Sequence, residues 1–296
     1  MPALADVGAG GITSIRVVRH KPGRRCLVAY ELHGYGTVYG KVARKRYGKS
    51  GYRLLAELRR AGFDGAADGI AVPEPIGVAG ALRMWLQREA PGRPVTHALE
   101  EPGSEGVALR VAEAAHKLHA AGVPTERRHG VADELRILED CLGRVGASQP
   151  RLASRLRRLV ERCARAGARL DDRQACGVHR DFYPDQVLVD GARVTVLDFD
   201  LYCVGDPALD IGNFLGHVTE QALRTRGSAT AFGAFEHRLQ ERFGELAGAE
   251  AGRRVRIWAA LTLARHVYLS TRFEDRRRLT APLLDLAEQR LAEAWR

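Results

Sequence analysis

The chain has 296 residues, 45% hydrophobic and 28% charged, which excludes disorder, collagen and coiled coil as descriptions of the whole. No apolar run approaches the ~18 residues of a membrane span. The opening MPALADVGAGGITSIR lacks a basic region followed by an apolar one, so a cytoplasmic protein without a signal peptide is expected. Five scattered cysteines (Cys26, Cys141, Cys163, Cys176 and Cys203) form no C-x-x-C pair, which argues against a disulfide framework or a zinc knuckle.

In chain order, the first part reads as a small antiparallel sheet. Ile15–Arg19 is a strand, Lys21–Arg25 (KPGRR) a turn, Cys26–Leu32 a strand, Gly34–Gly36 a turn and Thr37–Ala43 a third strand. Gly51–Ala61 has Leu54, Leu55 and Leu58 on one helical face and stops at Gly62. Val72–Val78 and Ala81–Gln87 read as a further hairpin. The Pro/Gly stretch Ala90–Val95 marks a domain boundary. Helical periodicity follows over Val107–Ala121, Val131–Val145 and Arg151–Ala166. Short strands with loops run from Gly177 to Asp200. Helices return near Ala208–Val218, Ala231–Phe243, Val255–Thr271 and Pro282–Trp295.

The net charge is +10, and most of the excess lies in one N-terminal block. From Arg16 to Arg60 there are 13 Lys/Arg against Glu31 and Glu57. The block has no aromatic stacking platform and no helix-turn-helix, which argues against nucleic acid. A small polyanion such as a nucleoside triphosphate accounts for a local excess equally well.

Chemistry concentrates in the one non-helical stretch of the larger part. Asp181 is followed five residues later by Gln186, and Asp190-Gly191 is a hairpin turn between Val187–Val189 and Val194–Leu197. A hairpin brings the ends of its strands together, so Gln186 and Asp198 are expected side by side, with Asp181 on the entering loop. Two carboxylates and an amide oxygen are hard ligands that suit Mg²⁺, and an acid off the metal can accept a proton from a hydroxyl. A bare hairpin with solvated acids is the bland alternative. A second constellation weighs against it. Lys41 lies in the third strand and Glu57 in the next helix, and such a pair can hold a cation against ATP α/β-phosphates.

These residues resemble the aminoglycoside phosphotransferase and choline kinase-like family, small-molecule kinases with a protein-kinase-like fold. The resemblance covers nearly the whole chain. His179-Arg180-Asp181 with Gln186 is similar to the family's H-x-D catalytic loop, and Asp198-Phe199-Asp200 stands where the family has its second metal-binding aspartate. Gly205-Asp206-Pro207-Ala208-Leu209-Asp210-Ile211-Gly212, Leu118-His119-Ala120 and the hinge Gln87-Arg88-Glu89-Ala90-Pro91-Gly92 look like further family segments. The resemblance implies an α+β, two-lobe fold. The N-lobe would cover residues 1–89, with a hinge at about 87–94. A mainly helical C-lobe would cover 90–296 and carry the catalytic loop at 177–200. It further implies Asp181 as the base toward the acceptor hydroxyl, Gln186 and Asp198 as Mg²⁺ ligands, Lys41 on the ATP phosphates with Glu57 positioning it, and nucleotide contacts at Gln87 and Glu89. His179 is read as holding the loop, and Asp210 as a helix-start or loop-bracing residue rather than a ligand.

This sequence departs from the family in places. Gln186 stands where the metal-binding Asn is usual, as in maltokinase-like members, and hints at a sugar acceptor. There is no G-x-G-x-x-G. Gly23, Arg24 and Arg25 of the first hairpin turn stand where a phosphate-covering loop would lie, and are the candidate phosphate contacts. The expected function is ATP- and Mg²⁺-dependent phosphoryl transfer to a small-molecule hydroxyl, on a sugar, a sugar alcohol or a related metabolite, with an aminoglycoside as a further candidate. The near-balanced charge from Leu201 to Arg296, 14 Arg against 12 Asp/Glu, disfavours a polycationic acceptor. The alternative is a pseudokinase-type module that binds nucleotide without transfer. A protein kinase is disfavoured, because no A-P-E triplet follows Asp198.

Overall fold

The structure, a computed structural model, describes residues 11–43, 49–171 and 175–294. Arg44, Lys45 and Arg46 of the basic block, the first ten residues of the stretch read against a signal peptide, and Trp295 lie outside the described residues. Two compact units are present. One comprises Met1–Arg93 with Leu188–Asp200, the other Pro94–Val187 with Leu201–Arg296. The division falls at Arg93, inside the stretch 87–94 read as the hinge, and residues 188–200, read with the helical part, group with the sheet.

In the first unit, β1 (Ile12–Lys21), β2 (Arg25–Leu32) and β3 (Gly36–Ala43) form an antiparallel meander. Gly23, at φ 67°, makes the first turn, with the Arg24 amide donating to the Lys21 carbonyl at 3.0 Å. Helix α1 (Lys49–Arg60) follows, then β4 (Ile70–Ala71), β5 (Pro75–Ala79) and β6 (Met84–Arg88). The five-stranded order is β1-β2-β3-β6-β5. Strand alternation sends Tyr30, Leu32, Val38, Met84 and Leu86 to one face, where they form a buried cluster. Lys41, Tyr39, Trp85 and Gln87 go to the other. On that face Lys41 pairs in register with Trp85 and Tyr39 with Gln87. The two-residue β7 (Arg93–Pro94) lies at the boundary between the units.

In the second unit, α2 (Val95–Ala98), α3 (Ser104–Ala120), α4 (Val131–Ser148) and α5 (Ala153–Gly167) lead to β8 (Cys176–Val178). The chain then passes through β9 (Val187–Asp190) and β10 (Arg193–Val196). β10 belongs to the first unit, where it runs parallel to β4 through Val194↔Ile70 and Thr195↔Ala71. β11 (Cys203–Gly205) returns antiparallel to β8. Four helices close the chain: α6 (Pro207–Arg226), α7 (Gly233–Ala247), α8 (Ala249–Arg272) and α9 (Thr280–Glu293). Gly212 and Gly216, one turn apart, let α6 approach α8 closely, since a Cβ at either would overlap Trp258 or Thr262. Among the described residues no helix is long and apolar enough to cross a membrane.

Candidate active site

Lys41 and Asp198 are 157 residues apart in sequence, yet Lys41 Nζ lies 3.2 Å from Asp198 Oδ1. β3 carries the lysine, and the end of the β9–β10 hairpin carries the acid. Arg25, the first residue of β2, reaches the same acids. Its Nη1 is 3.3 Å from Asp200 and 3.8 Å from Asp198. The Trp85 ring lies 5.3 Å from Lys41 Nζ, which adds a cation–π attraction. Lys41, Trp85, Gln87, Asp198, Phe199 and Asp200 line a small cleft, also bordered by Gly51, Leu55 and Pro73. A basic sheet face and a pair of acids therefore meet where a phosphate and a cation can be bound together.

Asp198 sits at φ 57°, in the left-handed region. A non-glycine residue there is strained and persists only when its surroundings over-determine it, which is common at functional sites.

Arg180, at φ 68°, is a second such residue, in the loop of the second unit. That loop is held by Asp210, which is fully buried near the start of α6. The Asp210 carboxylate accepts from the His179 amide at 2.9 Å and the Arg180 amide at 2.7 Å, and His119 Nε2 lies 2.9 Å from it. His179 Nδ1 accepts from the Asp181 amide at 3.2 Å. Asn213 Nδ2 donates to the Phe182 carbonyl at 2.9 Å, and Arg265 Nη2 donates to Asn213 Oδ1 at 2.7 Å. Asp181 is thus presented by a loop whose backbone is pinned on both sides. Gln186 ends a single 3₁₀ turn (Pro184–Gln186), and its Nε2 donates to the Tyr183 hydroxyl at 3.2 Å. The amide nitrogen is thereby committed, and Oε1 is the atom left to act as a hard ligand.

The expected Lys41–Glu57 ion pair is not formed. Lys41 pairs with Asp198, and Glu57 stays half-buried on α1. Gly23 and Arg24 form the tip of the β1–β2 turn and are exposed, whereas Arg25, the third residue read there, is the one that reaches the acids. Gln87 is buried within the cleft. Glu89 accepts from the Tyr39 hydroxyl at 2.8 Å. Burial and that bond raise the Tyr39 pKa to about 12. Asp206 caps α6, accepting from the Ala208 amide at 2.9 Å and from Arg254 and Trp258 at 2.7 Å. The helix-start role open to Asp210 thus falls to Asp206, and Asp210 braces the loop. His119 serves that brace. The contacts of Arg25 with Asp198 and Asp200 were not foreseen, although the sheet alternation from Arg25 to Leu27, opposite Lys41, places them on one face. Among the described residues no group of three or more His, Cys, Asp or Glu is arranged to hold a metal. A cation held by Asp198 and Asp200 would need further oxygen ligands as well.

A model of the phosphotransferase enzyme family (APH) matches residues 51–258. The chain belongs to that family. It is a small-molecule kinase, an enzyme that phosphorylates hydroxyl groups. Known structures share the fold at low identity. Spectinomycin phosphotransferase APH(9)-Ia, solved with ADP and spectinomycin, is 10% identical with a TM-score of 0.64, covering 99% of this chain and 96% of that one. Amicoumacin kinase hAmiN, solved with AMP-PNP, Ca²⁺ and Ami, is 13% identical with a TM-score of 0.67, over 93% and 88% of the two chains. A choline/ethanolamine kinase family protein from Mesorhizobium loti is 17% identical with a TM-score of 0.61, over 99% and 97%. No curated protein sequence matches the chain significantly.

Proposed function

We propose that this phosphotransferase moves the γ-phosphate of ATP, with Mg²⁺, to a hydroxyl of a small cytoplasmic metabolite, a sugar, a sugar alcohol or a relative of these. The observation that carries the reading is the Lys41–Asp198 pair inside a cleft whose two acids Arg25 also reaches. The solved relatives with ADP, or with AMP-PNP and Ca²⁺, support a nucleotide and a divalent ion as the ligands.

Asp198 and the Oε1 of Gln186 would hold the ion. Their hard oxygens fit Mg²⁺, which takes few protein ligands. When bound, the ion neutralises charge on the transferring phosphoryl group. Lys41 contacts the α/β-phosphates, and the orienting role read for Glu57 falls to Asp198. Arg25, with the Gly23–Arg24 turn, faces the phosphates, and Gln87 and Glu89 face the base. Asp181 accepts the proton of the acceptor hydroxyl. Positioning and charge neutralisation of a loose transition state then supply most of the rate.

The test is a library of hydroxyl metabolites with ATP and Mg²⁺, read as ADP release above the rate without acceptor. An acceptor-dependent rate that vanishes in Asp181→Asn is expected. Mg²⁺–ATP binding without transfer to any alcohol would instead favour the nucleotide-binding module.

A further inference from the structure

Tyr183 follows Asp181 by two residues in the same loop, and its ring stacks on His217 of α6 at 4.6 Å. His217 in turn meets His266 of α8 edge-on at 4.5 Å. These three rings form a continuous wall that begins beside the proposed base. His266 is 2% exposed, and its Nε2 has no hydrogen-bond partner among the described residues. A buried polar atom of this kind calls for one.

The charge around the wall is positive. Burial foremost, then Arg265 and Arg276, lowers the His266 pKa to about 3, and His217 is lowered by burial and the same neighbours. Both imidazoles are therefore neutral near pH 7, and the unpartnered Nε2 of His266 can donate to or accept from a hydroxyl according to its tautomer. Arg265 is committed to Glu134 at 3.1 Å and to Asn213. Arg276 is not matched in this way. It pairs at 3.8 Å with Glu220, which is already bonded to Arg224 Nε at 3.1 Å, and its guanidinium lies over the Phe273 ring at 4.9 Å. The buried Nε of Arg276 has no hydrogen-bond partner among the described residues. One buried carboxylate thus faces two guanidinium groups, and the surplus cation is the one with donors to spare.

We propose that this wall is an acceptor site for alcohols bearing an anionic group, a carboxylate or a phosphate, which Arg276 holds while Tyr183, His217 and His266 face the hydroxyls. The proposal deepens the phosphotransfer reading and rests on it for the word acceptor. A guanidinium with unused donors suits a planar or tetrahedral anion, and the same charge repels a polycation such as an aminoglycoside.

The test uses three six-carbon polyols that differ at one end: gluconate, sorbitol and glucamine. Binding to the full chain is measured by calorimetry, so the result does not depend on turnover. Gluconate should bind at least tenfold more tightly than the other two. Arg276→Gln should reduce gluconate to the sorbitol level while Mg²⁺–ATP affinity stays as in the wild type, and Arg276→Lys should keep part of the preference. Equal or tighter binding of sorbitol or glucamine, undetectable binding of all three, or a gluconate affinity unmoved by Arg276→Gln overturns the proposal. Should Arg276→Gln unfold, the wild-type ranking decides alone. Gluconate binding through Arg276 with no ADP formed would support the anion site and count against phosphoryl transfer.

Discussion

In the sheet unit, Asp198 is an acid held by cations: Lys41 at 3.2 Å and Arg25 at 3.8 Å, with the arginine side chain 41% exposed. In the helical unit, Asp210 is an acid that holds backbone, with two amides and an imidazole around a carboxylate that no solvent reaches. Side-chain cations near solvent can exchange one anion for another, and a phosphate can replace a carboxylate at little cost. Buried amides have no such alternative, because an unpaired buried N–H is costly. The first arrangement is suited to binding and release. The second fixes the shape of a loop.

The contrast can be broken first at Lys41. Lys41→Ala should weaken ATP binding or turnover by roughly 10–100-fold, the scale of a charge-assisted contact, with little change in thermal midpoint. Lys49→Ala should be mild. Lys45, outside the described residues, should behave likewise. Equal losses at all three would reduce the specific role to a diffuse basic patch.

Asp210→Ala should do the reverse. It orphans two buried amides and should cost about 3 kcal/mol of stability, measured by denaturant unfolding. Asp210→Asn, which keeps one acceptor, should cost less. Wild-type stability in Asp210→Ala would remove the brace from the account.

A partly buried acid elsewhere in the helical unit sharpens the comparison through pH. Thr219 Oγ1 lies 2.9 Å from the Leu215 carbonyl and 2.6 Å from Glu236 Oε1. Burial raises Glu236 from 4.5 to about 7, against the opposing effects of Thr219 and Arg290. The folded state then binds more protons than the unfolded state between those values. The contribution of Glu236 is full below about pH 4.5 and is lost as pH rises through about 7, a fall of about 2–3 kcal/mol. Glu236→Gln should flatten this part of the stability–pH curve, and a curve identical to the wild type would mean that the acid is ionised throughout.

The smallest effect is expected at Gln186. Gln186→Asn keeps the amide oxygen and should change turnover by only about a few fold or shift the preferred divalent ion. If Gln186→Ala leaves turnover untouched at limiting Mg²⁺, Gln186 is not a ligand.

What the sequence showed and hid follows from range. The meander was legible because its strands are β-branched runs between Gly and Pro turns. The loop around Asp181 was legible as a motif, and its bracing by Asp210 was anticipated. The partner of Lys41 was not. Glu57 lies 16 residues away on a helix of leucines, whereas Asp198 is reached only when β10 joins β4, a pairing no local period encodes. Helix α6 ran to Arg226 rather than Val218 because it is buried almost all round, so no single apolar face marks its length. Tyr183, His217 and His266 come from a loop and two helices, and only packing makes them one wall.

The most direct measurement is Asp181→Asn, with Mg²⁺–ATP affinity and single-turnover transfer determined on the same preparation. The amide keeps the shape and removes the proton acceptor. Affinity should stay within about a few fold, and transfer should fall by roughly 10²–10⁴, the range for a positioned general base. Transfer at the wild-type rate, or a loss of nucleotide binding as large as the loss of transfer, would contradict the assignment of Asp181 as the base.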